Sequence, residues 1–142
     1  MTNLMMAAVM QAALMGVGEA DYAKAYKQAE TGKPLVVLIG TDWCPGCVTM
    51  KNRVIPQIEK NGTLAKVAFT QINTDQDREL ATQMMRGNSI PQLVIYHKTA
   101  DGWMRQIMVG AKSVAEVERA INQAVEEIRV AKRQATESIV VK

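Results

Sequence analysis

The stretch Leu35-Val36-Val37-Leu38-Ile39-Gly40-Thr41-Asp42-Trp43-Cys44-Pro45-Gly46-Cys47 decides how this chain is read. Leu35 to Ile39 is an unbroken aliphatic run rich in β-branched residues. Such a run suits a strand buried on both faces of a sheet, where neither face calls for polar residues. Gly40-Thr41-Asp42 supplies a turn. Pro45 fits the first position of a helix, where its missing N–H leaves nothing unsatisfied. The two cysteines therefore fall at a strand–turn–helix junction.

Cys44 and Cys47 are the only cysteines in the 142 residues. Two cysteines cannot build a disulfide framework, and alone they cannot close a four-thiolate zinc site. A helix N-terminus offers free N–H groups and a positive dipole end, which favour a thiolate at Cys44. Two intervening residues let both sulfurs close a small ring, and Cys47, one turn in, is shielded. Cys44 is the expected nucleophile and Cys47 the resolving thiol. Against this stand two structural cysteines, half of a zinc or copper site shared between subunits, and a domain that has lost activity.

Outward from the motif, hydrophobic period and turn residues mark further elements. Asp21 to Ala29 reads as a helix capped by Asp21, with Tyr22, Ala25, Tyr26 and Ala29 on one face. The helix after Cys44 runs through Val48, Lys51, Val54 and Ile55, and Pro56 is expected to kink or end it. Ala65 to Ile72 reads as a strand, with Val67, Phe69 and Ile72 toward the core. Asp75 to Arg86 reads as a helix burying Leu80, Ala81, Met84 and Met85, closed by Gly87. Gln92 to His97 and Trp103 to Val109 read as a hairpin around Thr99-Ala100-Asp101-Gly102. Ser113 to Glu116 is a capping box that opens a helix through Val117, Ile121, Val125 and Ile128. A frayed tail is expected after Lys132. The alternating first half predicts parallel strands and the second half a hairpin and a covering helix. The fold class is α/β, with a mixed sheet of about four strands flanked by helices.

A chain of this length with 48% hydrophobic residues holds one ordinary domain. Residues 21–130 are assigned to it, between an apolar segment (1–20) and a tail (131–142). The formal charge is +3 with no Lys/Arg block, and aromatics are 4%, so neither a nucleic-acid patch nor a base-stacking platform is expected. Leu4 to Met15 is apolar except for Gln11. It is too short for a membrane span of about 20 residues. It fits the apolar part of a secretion signal, with Gly16, Gly18 and Ala20 near a cleavage region, and equally a Met/Ala-rich packing helix. The basic flank of a signal is lacking. Five of the ten methionines fall in the first fifteen residues, so packing explains them better than copper does.

The motif pieces together resemble the thioredoxin family: strand Leu35–Ile39, then Trp43-Cys44-Pro45-Gly46-Cys47, then Ser89-Ile90-Pro91, then Val109-Gly110 before the last helix. They span Asp21 to Ile128. The segment from Tyr22 to Leu35 looks most like thioredoxin-like domains of exported bacterial proteins, which implies a periplasmic or secreted protein; a cytoplasmic one is the alternative. The resemblance implies that Pro91 is cis, beside the cysteines. Trp43, Pro45, Gly46, Ile90, Pro91 and Gly110 would form the substrate-binding surface, with Gly110 allowing close approach of chain or partner. Two departures stand out. Many thioredoxins carry a buried Asp and a Lys where Leu38 and Gln71 stand here. The dipeptide Pro45-Gly46 also reverses the usual thioredoxin order. Oxidases and isomerases of the family vary that dipeptide, so the potential falls in a window from about −270 to −120 mV.

The expected function is thiol:disulfide exchange with protein substrates and a redox partner protein. It needs no cofactor beyond a Cys44–Cys47 disulfide and no metal. The expected state is a monomer or weak dimer without a membrane span. The alternative is a thioredoxin-like binding or metal-handling module. His97 and Asp42 are read as a strand-end residue and a solvated turn residue.

Overall fold

The computed structural model describes residues 17–140; the apolar run from Leu4 to Met15 lies outside them, as does Val141. The elements in chain order are α1 (Val17–Glu30), β1 (Leu35–Gly40), α2 (Pro45–Thr49), a π-helical turn (Met50–Val54), α3 (Ile55–Lys60), a 3₁₀ turn (Thr63–Lys66), β2 (Ala68–Asn73), α4 (Arg78–Met84), β3 (Gln92–Thr99), β4 (Gly102–Val109) and α5 (Val114–Val140). The sheet order is β2-β1-β3-β4. β1 and β2 are parallel, while β3 runs antiparallel to both β1 and β4.

The aliphatic run of β1 is central and buried on both faces, which is why it carries no polar residue. Its alternate residues feed two cores. Val36 and Leu38, with Leu93 and Ile95 of β3, pack against Met50, Val54, Ile55 and Ile58 and against Val117, Ile121 and Ala124 of α5. Leu35, Val37 and Ile39, with Val94, Ala68 and Ile72, pack against Ala25 and Ala29 of α1 and Ala81 and Met84 of α4. Each fully buried Leu, Ile or Val contributes about 1.5–3 kcal/mol.

Several boundaries differ from the sequence reading. α1 begins at Val17, so Asp21 lies inside the helix and does not cap it. Gly18 weakens a helix by about 1 kcal/mol but does not stop one. On that helix Ala25 and Ala29 are buried, whereas Tyr26 is exposed and stacks on Trp103 at 5.9 Å. β2 starts three residues later than expected, because the 3₁₀ turn takes up Ala65 and Lys66. α4 is shorter than the stretch from Asp75 to Arg86, its first turn being displaced by the turn at Asn73.

Pro56 neither ends the helix nor stands in its middle. The π-helical turn precedes it, with the Ile55 N–H donating to the Met50 carbonyl five residues back. Widening the helix at this point absorbs a proline that has no N–H to donate. The largest correction is at the C-terminus. α5 continues for 27 residues to Val140, about 40 Å long, where a frayed tail was expected. Its buried positions stop at Ile128, and Ile139 and Val140 stand in solvent. The capping box is formed: the Ser113 N–H donates to Glu116 Oε2 at 2.8 Å and the Glu116 N–H to Ser113 Oγ at 3.2 Å.

Candidate active site

The strand registers bring four loops to one end of the sheet. Gly40 pairs with Asn73, Ile39 with Gln92, and Gln92 with Val109. The loops that leave or enter at these positions carry Cys44, Asp75, Ile90-Pro91 and Gly110.

Cys44 is the N-cap of α2, with extended backbone, and its sulfur accepts from the Cys47 N–H at 3.4 Å. A side chain in this role satisfies one of the free donors of a helix start. The Cys44 thiol points at the Ile90 carbonyl, 3.8 Å away. Both cysteines are free and buried, 8% and 5% exposed. Burial pushes the Cys47 thiol up to about 11, and the hydrogen bond with Cys44 adds to the rise, while Thr41 pulls it back through backbone and side chain. Desolvation penalises the thiolate, so Cys47 holds its proton at neutral pH.

The Ile90–Pro91 peptide bond is cis. Pro91 packs over the motif: a Cβ on Gly46 would stand 3.1 Å from Pro91 Cδ and 3.6 Å from Ala111 Cβ, so the dipeptide tolerates little beyond glycine at its second place. The Pro91 carbonyl accepts from the Gly110 N–H at 2.8 Å, which binds the two loops together. Gly110 has φ +90° and open space where a Cβ would be. Its glycine is needed for the left-handed backbone, not for close approach within the chain.

Trp43 is 70% exposed beside the cysteines. Its indole N–H donates to Asp75 Oδ2 at 2.9 Å, and the Asp75 N–H is held by Asn73 Oδ1 at 2.9 Å. The ring is thus fixed as one wall of a cavity of about 430 Å³, whose other walls include Arg78, Met85, Asn88 and Ile90.

Two residues were missed in the sequence. Gly40 was read only as a turn residue, yet a Cβ there would stand 2.6 Å from the Cys47 sulfur. Gln92 is wholly buried, and its side-chain amide accepts from the Arg86 N–H at 3.0 Å and donates to the Arg86 and Ser89 carbonyls at 2.8 Å each. It clamps the loop that presents Ile90 and Pro91. A lone polar residue opening an apolar strand was the only signal for it.

His97 sits away from the site, buried on β3 beside the Glu127 carboxylate of α5. Among the described residues no group of three or more His, Cys, Asp or Glu side chains could hold a metal. Among them, too, no helix is long and apolar enough to cross a membrane.

A family model described as a thioredoxin-like domain matches residues 22–125. The chain belongs to the thioredoxin-like domain family. A thioredoxin from Thermus thermophilus has a similar fold, with a TM-score of 0.59 and 22% identity over 72% of this chain and 82% of that one. Thioredoxins from Fasciola hepatica (TM-score 0.56, 19% identity, 72% and 92% covered) and Trichomonas vaginalis (0.56, 22%, 76% and 91%) are similar as well. At these identities the likeness speaks for the fold alone. No curated protein sequence matches the chain. The fold with its neighbouring cysteines supports a role of the thiol–disulfide oxidoreductase type.

Proposed function

We propose that the protein is a thiol:disulfide oxidoreductase acting on protein substrates. The observation that carries this is the pair of free thiols at the start of α2, with the Cys44 sulfur between the Cys47 N–H and the Ile90 carbonyl. Cys44 attacks a substrate disulfide, forming a mixed disulfide and expelling one substrate thiolate. Cys47 then loses its proton and attacks the Cys44 sulfur. The Cys44–Cys47 bond forms, the second substrate thiolate leaves, and two electrons have passed from the pair to the substrate. The reverse sequence makes the pair an oxidant.

The supporting geometry favours an extended polypeptide. The fixed Trp43 ring, Ile90 and Pro91 flank the reactive sulfur, and the adjoining cavity has room for a neighbouring side chain. The redox group is the disulfide of Cys44 and Cys47, and a second redox protein recharges it.

The test is turnover of a protein disulfide in the presence of a recycling reductant. Wild type is expected to turn over and Cys44→Ser to lose catalysis entirely. Equal rates for the two would refute the reading.

A further inference from the structure

Behind Cys47, away from Trp43, lies a second cavity of about 290 Å³. Cys47 and Gly40 form part of its wall, and the missing Gly40 side chain is what leaves the sulfur open to it. The sheet positions on this wall, Leu38 and Gly40 of β1 and Gln71, Ile72 and Asn73 of β2, carry no charge. Carboxylates reach it from Asp21 on α1, Asp42 in the loop and Asp77 before α4. Among the described residues lining it, Lys51 is the only cation.

Lys51 stands four residues after Cys47 on the same helical stretch. Lys51 belongs to the π-helical turn that follows α2, and both residues line the cavity. The ammonium is held at 3.7 Å from Asp42 Oδ1, and Asn73 Nδ2 donates to the other Asp42 oxygen at 3.3 Å. The Lys51–Asp42 pair and Cys47 thus border one cavity.

We propose that Lys51 is a positioning residue for the resolving step, its ammonium stabilising the Cys47 thiolate across this cavity while Asp42 competes for it. The inference rests on the oxidoreductase reading above. In the mixed disulfide Cys44–S–S–R, the Cys47 thiol gives its proton to water in the cavity. The thiolate attacks Cys44, the Cys44–Cys47 bond forms, the Cys44–S–R bond breaks, and the departing thiolate takes a proton from water. Lys51 changes neither the atom nor the electron count; it lowers the energy of the charged state between. An opposite charge facing the same small cavity favours the thiolate. The interaction runs through partly solvated space, so salt weakens it.

Dithiobis(nitrobenzoate) tests this in stopped flow with the full chain. Cys44 releases one thionitrobenzoate, and attack by Cys47 releases a second. Lys51→Met is expected to slow the second release about threefold to tenfold near neutral pH. It should also raise the pH at which Cys47 titrates in a Cys44→Ser background. Lys51→Arg restores both, and added salt shrinks the difference. Asp42→Asn, on an exposed side chain, changes both in the opposite direction. A second release within twofold of wild type in Lys51→Met, an equal loss in Lys51→Arg, or a difference indifferent to salt overturns the inference. If wild type gives no second release, or Cys47→Ser gives the same one, the oxidoreductase reading fails and this inference falls with it.

Discussion

Gly40 and Cys47 are packed so closely that a methyl group on Gly40 would stand 2.6 Å from the Cys47 sulfur and 2.9 Å from its Cβ. The end of β1 and the first turn of α2 are joined through this contact. Gly40→Ala is therefore expected to destabilise the protein by about 1–3 kcal/mol, as overpacking does where the neighbour is a short, buried side chain. Urea unfolding of the reduced protein measures it. A midpoint equal to wild type would mean that the strand and helix are not held together here.

Cys47 makes the reduced protein sensitive to alkali. Burial pushes its thiol up to about 11 in the folded chain, against an ordinary value of 9.0. Below the ordinary value both states hold the proton, and the stabilisation is fully present. As pH rises from there through the folded value, the unfolded chain loses its proton first and stability falls. The loss is on the order of 1–2 kcal/mol. Unfolding of wild type and Cys47→Ser under reductant, at neutral pH and again in mild alkali, isolates it from the tyrosines that titrate in the same range. Parallel curves for the two proteins would contradict the burial argument.

Gln92 holds the loop that carries the Ile90 carbonyl to Cys44. Gln92→Leu keeps the bulk but leaves the Arg86 N–H and the Arg86 and Ser89 carbonyls without their partner. The expected destabilisation is on the order of 2–3 kcal/mol. Turnover of a protein disulfide should fall further than reaction with a small aromatic disulfide, because the small reagent does not need the loop. Equal losses for both substrates would reduce Gln92 to a stability residue.

The capping box of α5 makes an independent check on the fold. Ser113→Ala removes the acceptor for the Glu116 N–H and is expected to lower stability by about 1 kcal/mol without altering thiol chemistry. The Glu116 carboxyl is held below its ordinary range by hydrogen bonds to the Ser113 backbone and hydroxyl. Its stabilisation is present above the ordinary carboxylate value and lost as pH falls through the depressed one. Acid unfolding should therefore begin at higher pH in Ser113→Ala than in wild type.

What could be read in the sequence was local. The run Leu35–Ile39 announced a central strand because a strand buried on both faces needs no polar residue, and the register of β1 shows that burial directly. Ser113 and Glu116 announced a helix start because their chemistry closes within one turn. Contacts made by distant segments left no pattern. Gly40 is a turn residue until Cys47 is folded against it, and Gln92 is a polar residue in a strand until the loop from Arg86 to Ser89 wraps it. Pro56 signalled disruption correctly in kind, but whether a helix ends or widens depends on the packing of Val54, Ile55 and Ile58 into the core, which holds the flanking turns in place. The end of α5 escaped because its last turns, exposed at Ile139 and Val140, bury no periodic face.

The central claim is that Cys44 and Cys47 exchange electrons as one unit. Titration of the wild-type protein against a graded thiol–disulfide buffer, with the thiols trapped and counted, tests this most directly. A single two-electron transition is expected, both thiols disappearing together, at a potential between about −270 and −120 mV. Cys44→Ser and Cys47→Ser should each abolish it. Two thiols that stay reduced across that range, or that titrate separately, would contradict the account.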